Sequence, residues 1–280
     1  MMEQEKTQTA KREAAIKKAF ARVKALILDL DGTLYLGDKL FEYTPNFLDG
    51  LTKRNLRYIF VSNNSSKTAQ DYARKLNRMG LSVTDEMVYT STEATIEYLD
   101  RLKPNANIYL IGTPALESQF RAAGYVMDDE SPDFVVLGFD TTFNYVKFHH
   151  GCYWLRRGVP FIATHPDLNC PVTNGESMPD AGALAAAFTA ATGVHPKYIG
   201  KPYREMLHGI TTRMKLRIQD FAVVGDRLST DISMGFHNHI PTALVQSGGN
   251  SPQFNDHSDV QPTVVVDRVV DLLPYLPPVE

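Results

Sequence analysis

Cysteine is scarce: Cys152 and Cys170 are the only two in 280 residues. Two in a chain of this length do not make a disulfide framework, and they read as small buried hydrophobes or free thiols. A zinc site would recruit His149, His150 or His165, but there is no C-x-x-C or H-E-x-x-H spacing to support one. An excess of basic residues is also missing. Lys and Arg total 29 against 32 Asp and Glu, a formal net charge of -3, so no general positive field favours nucleic acid. No window approaches the roughly 18 apolar residues of a membrane-spanning helix. The opening MMEQEKTQTAKREAAIKKAF carries charge throughout, where a signal peptide has an apolar stretch. Internal repeats and low-complexity tracts are not visible. The expectation is a cytoplasmic protein without membrane or nucleic-acid partners.

What is present suits an ordinary globular protein. Hydrophobic residues make up 43% and charged residues 22%, and the length is comfortable for two domains. In the N-terminal extension Ile16, Phe20 and Val23 fall on one helical face, which predicts a short helix docked on, or frayed from, the domain that follows, with an anchor or partner-binding role as the alternative. Val23 to Leu30 is a nearly unbroken apolar run ending in acid, the pattern of a strand buried on both faces of a parallel sheet. Strand and helix signals then alternate. Strands are predicted at Arg57–Val61, Met87–Thr90, Asn107–Ile111, Phe134–Gly138, Pro160–Thr164, Phe221–Val224, Thr242–Val245 and Thr263–Val266. Helices are predicted over Pro45–Lys53, Lys67–Met79, Ala115–Ala123, Phe143–Arg157 and Ala181–Thr192, on to Leu102, and from about Tyr203. Pro166–Pro179 reads as a Pro/Asn/Gly-rich loop. Such alternation predicts an α/β fold with right-handed crossovers and a parallel sheet.

Ligands of such sheets collect at the carboxyl ends of the strands, so the chemistry is sought there. Asp29-Leu30-Asp31-Gly32-Thr33 closes the first strand. Two carboxylates two residues apart on extended chain point to the same side. They repel and lose hydration, which a cation bound by oxygen ligands relieves, and Mg²⁺ suits them. The same residues are also an ordinary turn signal. Ser62-Asn63 offers a hydroxyl and free N–H groups at a strand–helix junction, a phosphate seat or simply a helix cap. Lys201, before Pro202 at an expected first helical position, is either a charge-neutralising ammonium or a surface lysine. Gly225-Asp226 ends a further apolar strand, and Thr230-Asp231 is expected to open the next helix, with Asp231 a structural cap on the plainer reading.

The order acid pair, hydroxyl, lysine, acid pair, each member after a strand or before a helix, resembles the haloacid dehalogenase superfamily. Asp29-Leu30-Asp31-Gly32-Thr33 is similar to its first motif, Ser62-Asn63 to its second, Lys201 to its third, and Gly225-Asp226 with Thr230-Asp231 to its fourth. The long insertion between Ser62 and Lys201 resembles the subfamily with a large α/β cap, which includes NagD-like and p-nitrophenyl phosphatases. Leu34-Tyr35-Leu36-Gly37, Val136-Leu137-Gly138-Phe139-Asp140, Ala163-Thr164-His165-Pro166-Asp167 and Ile199-Gly200-Lys201-Pro202 agree with it. The resemblance implies a Rossmann-like core over 21–100 and 191–280, an α/β cap over 101–190 that selects substrate, and a helical extension over 1–20.

It also implies a Mg²⁺-dependent phosphatase acting on small phosphorylated metabolites such as sugar phosphates, nucleoside monophosphates or phosphoglycolate. Asp29 would be the nucleophile that forms an aspartyl-phosphate. Asp31 would be the general acid and base. Asp29, the Asp31 carbonyl and Asp226 would hold metal, with Asp231 ordering them. Ser62, the Asn63 N–H and Lys201 would bind the phosphoryl oxygens. Asp180 and His165 depart from the family pattern. Asp180 is expected to cap the helix at Ala181 or to meet substrate, and His165 to contact substrate or hold its loop. Pairing of copies through the cap is common in the group. Phosphotransfer on the same scaffold and non-catalytic binding are the alternatives; the short Thr33–Phe41 segment lacks room for the helical cap that mutases of the superfamily carry.

Overall fold

The computed structural model describes residues 2–171, 176–248 and 259–279. It divides into two compact units, one of Met1–Val61, Leu76–Ser82 and Ile210–Glu280, the other of Ser62–Lys75 and Val83–Gly209. Among the described residues no helix is long and apolar enough to cross a membrane.

Five of the strands in the parallel sheet of the first unit run in the order Val264–Val266, Thr242–Val245, Phe221–Gly225, Ala25–Asp29, Arg57–Ser62. Ala25 to Leu28 lie opposite Phe221 to Val224 in parallel register, and Asp29 lies opposite Val61. Ala25 to Leu28 and the whole of Phe221–Gly225 are buried. A strand buried on both faces has no polar side to alternate with, which is why its sequence reads as a continuous apolar run. The register also fixes the chemistry. Asp29 and Gly225 each follow a paired residue, so Asp226 emerges beside the end of the first strand.

Other elements of this unit support the sheet. The helix Thr44–Lys53 starts with Pro45 in its first turn and buries Phe47, Leu48 and Leu51. It packs on the one-turn-by-turn segment Val269–Tyr275, as does the N-terminal helix Met2–Phe20. Ile16 and Phe20 are buried on one face of that helix, and Val23, expected on the same face, is buried beyond the helix end at Phe20; each such side chain contributes on the order of 2 kcal/mol when withdrawn from water. After the first strand the chain forms a small hairpin, Tyr35–Leu36 with Lys39–Leu40. After Gly225 the expected α-helix gives way to a π-helical turn, Leu228–Ile232, in which the Ile232 N–H reaches back to the Arg227 carbonyl at 3.2 Å. Leu228 and Ile232 pin that turn against Leu244 of the next strand, and the α-helix proper runs only over Ser233–His237.

The second unit has its own parallel sheet, in the order Lys197–Tyr198, Phe161–Ala163, Phe134–Leu137, Asn107–Ile111, Val126–Met127. The helices Tyr145–Leu155 and Ala181–Thr192 pack together over it. Phe188 is the centre of that core, with the rings of Phe143, Phe148 and Phe161 around it at 6.1, 4.8 and 5.7 Å between centroids. Cys152 lies in the same core as a small hydrophobe. Two edge strands of two residues escaped the sequence reading because so short a run shows no period. The loop expected over Pro166–Pro179 contains a hairpin, Asn169–Pro171 against Ser177–Pro179; residues 172–175 lie outside the described ones.

Asp220 ties the entry of the first strand to that of its neighbour. Its carbonyl accepts the Lys24 N–H at 2.7 Å, and its buried carboxylate accepts from the Arg217 N–H, Nε and Nη2 at 3.1 to 3.2 Å with Lys24 Nζ at 3.4 Å. The Arg217 hydrogen bonds, opposed by burial, hold its carboxyl down at about 2. A depressed carboxyl stabilises the fold above its unfolded value of about 3.9 and loses that contribution as pH falls toward the folded value. Asp220→Asn is therefore expected to be less stable than the wild type at neutral pH, with the difference closing between about pH 4 and pH 2. Urea unfolding across that range checks it; a difference that stays constant with pH would contradict the assignment.

Candidate active site

The first constellation sits at the carboxyl ends of Ala25–Asp29 and Phe221–Gly225. Carboxylate oxygens of Asp29, Asp226 and Asp231 lie within 4.8 Å of one another. Asp226 and Asp231 are buried, at 3% and 1% exposure, and Asp29 is half-buried. The Thr33 hydroxyl donates to Asp29 Oδ2 at 3.2 Å. The Arg227 N–H donates to Asp231 Oδ2 at 3.3 Å, and the π-helical turn is what swings Asp231 back toward the strand end.

Glycines make room for this cluster. A Cβ on Gly32 would stand 2.3 Å from Asp226 Oδ2, and one on Gly248 would do the same. Gly32 also holds φ at +86°, a value that other residues rarely adopt. The Ser247 hydroxyl closes the cradle by donating to the Gly32 carbonyl at 2.9 Å. Hard carboxylate oxygens gathered this closely, in a pocket of backbone that admits no side chain, are the donor set a small divalent cation takes. The residues present therefore fit Mg²⁺.

Just past the first strand, which ends at Asp29, the chain carries Asp31. It turns, with the Leu34 N–H on the Leu30 carbonyl at 2.9 Å and the Gly32 N–H on the Tyr35 carbonyl at 2.8 Å. The turn leaves Asp31 exposed, with Oδ2 accepting from the Tyr35 hydroxyl at 2.8 Å.

The second constellation lies within the other unit. Ser62, Asn63 and Lys201 are all buried. Ser62 Oγ donates to the Tyr72 hydroxyl at 2.9 Å and accepts from the Asn64 N–H at 3.2 Å, while the Ser91 hydroxyl donates to the Asn63 carbonyl. The Asn63 side chain meets the main chain of Lys201 at both its N–H and its carbonyl, and also meets Asp167. Pro202 is not the first helical residue. A turn, with the Tyr203 N–H on the Gly200 carbonyl at 2.9 Å, separates Lys201 from the helix Arg204–Met214.

His165 and Asp180, each read as a substrate contact or as a structural residue of its loop or helix end, face one another in the interior of this unit. His165 Nε2 lies 2.9 Å from Asp180 Oδ1, and their side chains are 0% and 5% exposed. The same Asp180 oxygen accepts the Ala181 N–H at 2.6 Å, which makes Asp180 the cap of Ala181–Thr192. His165 Nδ1 lies 2.8 Å from the Thr164 hydroxyl, which donates to Ser65 Oγ at 3.1 Å.

Several of these residues escaped sequence reasoning. Ser247-Gly248 lies just beyond the strand Thr242–Val245, so the strand-end rule that found Asp29 and Asp226 also pointed there. Tyr72 and the Asn63 contact of Asp167 carried no local signal, because Ser62 lies on a strand ten residues before Tyr72 and Asn63 lies 104 positions before Asp167.

The comparisons with known proteins agree with this geometry. A family model described as haloacid dehalogenase-like hydrolase matches residues 26–126, and a HAD-hydrolase-like model matches residues 198–272. The 5'-nucleotidase YutF of Bacillus subtilis is 33% identical over 90% of this chain and 98% of its own. The acid sugar phosphatase of Staphylococcus saprophyticus is 35% identical over 86% of this chain and 93% of its own. The crystal structure of a 4-nitrophenylphosphatase from Thermotoga maritima superposes with a TM-score of 0.86 at 40% identity, covering 93% of this chain and 98% of that one. With its carboxylate cluster at the strand ends and relatives that match it nearly end to end, the chain belongs to the haloacid dehalogenase-like hydrolases, and among them to the phosphatases.

Proposed function

We propose that the protein hydrolyses small phosphomonoesters with Mg²⁺ through an aspartyl-phosphate on Asp29. The observation that carries this reading is the convergence of Asp29, Asp226 and Asp231 in a backbone cradle at the strand ends. A carboxylate held among other carboxylates is a poor nucleophile toward an anion until that charge is offset. Asp29, Asp226 and the Asp31 carbonyl would hold the ion, and when bound it neutralises carboxylate and phosphoryl charge. Asp231, tied to the Arg227 N–H, orders the group from behind.

The remaining work falls to side chains. An Asp29 oxygen attacks phosphorus, and the bond from phosphorus to the ester oxygen breaks. Asp31, oriented by the Tyr35 hydroxyl, gives its proton to the departing oxygen. The same carboxylate then takes a proton from water, whose oxygen attacks phosphorus and returns Asp29 as a carboxylate with inorganic phosphate as product. Ser62, the Asn63 N–H and Lys201 hold the phosphoryl oxygens. A cap over residues 101–190 selects the leaving group and keeps other water out. Sugar phosphates and nucleoside monophosphates are the first classes to test, since the relatives include an acid sugar phosphatase and a 5'-nucleotidase.

Phosphate release from a panel of these esters and p-nitrophenyl phosphate, with Mg²⁺ and with EDTA, tests the reading. Release is expected with Mg²⁺ alone, and a fall on the order of 10³-fold or more in Asp29→Asn. Wild-type rates in Asp29→Asn, or a folded protein that releases phosphate from none of the esters, would overturn it.

A further inference from the structure

The side-chain amide of Asn63 has every hydrogen committed. Oδ1 accepts the Lys201 N–H at 2.8 Å. Nδ2 donates to the Lys201 carbonyl at 3.0 Å and to Asp167 Oδ2 at 2.7 Å. A primary amide has two N–H donors, so none is left for a phosphoryl oxygen. The orientation of the amide is fixed by the same set. Flipping it would set its oxygen against a carbonyl and a carboxylate, and its nitrogen against an N–H.

The surroundings are shaped for this contact. Asn63 and Lys201 are 9% and 3% exposed. A Cβ on Gly200 would fall 2.6 Å from Asn63 Oδ1 and 2.7 Å from the Thr164 carbonyl, so glycine is what lets the amide reach the backbone of its neighbour. The Gly200 N–H in turn is held by that Thr164 carbonyl at 2.7 Å.

We infer that the Asn63 side chain is a positioning residue that acts through Lys201, clamping the lysine's main chain at both its N–H and its carbonyl while Asp167 holds the amide in register. The inference rests on the reading that the Lys201 ammonium binds the phosphoryl group. It separates two parts of one residue: the Asn63 main-chain N–H serves the phosphate, and its side chain serves the lysine. A lysine side chain has four rotatable bonds above its Cα, and a fixed backbone removes the remaining freedom at its root. Misplacing a catalytic group by about 1 Å costs on the order of 10²-fold, the scale of loss expected when the clamp is removed.

A double-mutant cycle tests this, read as kcat/KM for p-nitrophenyl phosphate and as the affinity for inorganic phosphate. Asn63→Ala is expected to lose on the order of 10²-fold in the wild type and almost nothing when Lys201→Ala is already present, since a group acting through the lysine has nothing left to act on. A rescue variant guards against simple misfolding. Asn63→Asp sets a carboxylate against Asp167 and the Lys201 carbonyl; adding Asp167→Asn returns a donor to that contact and is expected to recover part of the activity. Losses that multiply in the cycle, or Asn63→Asp unimproved by Asp167→Asn, would overturn the inference. Wild-type activity and phosphate affinity in Lys201→Ala would instead overturn the reading on which it rests.

Discussion

Like charge held close is the constraint on which the first unit depends. Carboxylates within 4.8 Å repel by roughly 3 kcal/mol per pair at an effective dielectric of about 20, and burial adds the loss of their hydration. Left to itself, such a group would spread. It is kept together because each member is rooted where the backbone cannot yield: Asp29 at the end of a strand paired on both sides, Asp226 directly after its neighbour, and Asp231 in a π-helical turn pinned on Leu244. The glycines at 32 and 248 permit the approach. The sheet supplies rigidity, and the proposed Mg²⁺ would supply the offsetting charge.

The second unit meets the opposite demand, holding a buried lysine in one place. Its answer is hydrogen bonding to main chain. Asn63 grips Lys201, the Thr164 carbonyl grips Gly200, and the Thr164 hydroxyl leads through His165 to Asp180 and the cap of Ala181–Thr192. Each bond is modest by itself, at about 1 kcal/mol net. Their value lies in saturation, since a buried polar group left without its partner costs more than the bond contributes.

Much of this was legible in the sequence where the cause is local. Strands buried on both faces announce themselves as apolar runs, and Asn107–Ile111, Ala181–Thr192 and Thr242–Val245 begin and end where the residues say. Asp180 read as a helix cap because capping needs only the next residue. The acids at strand ends stood out because the parallel register turns a sequence position into a place in space. What failed to show depends on contacts between distant residues. Asn63 meets Asp167 across 104 positions and Lys201 across 138, and no spacing rule spans that. The partner of His165 was not legible, because a histidine in a loop gives no hint of a buried carboxylate 15 residues on.

The most direct test of the carboxylate cluster is a calorimetric titration of the protein with Mg²⁺, without substrate, for the wild type, Asp226→Asn and Gly248→Ala. The wild type should bind a single ion, Asp226→Asn should lose that binding, and Gly248→Ala should weaken it by at least about tenfold, since its new methyl group displaces the Asp226 oxygen. Unchanged Mg²⁺ affinity in Asp226→Asn, or no binding by the folded wild type, would contradict the assignment of this cluster as the metal site.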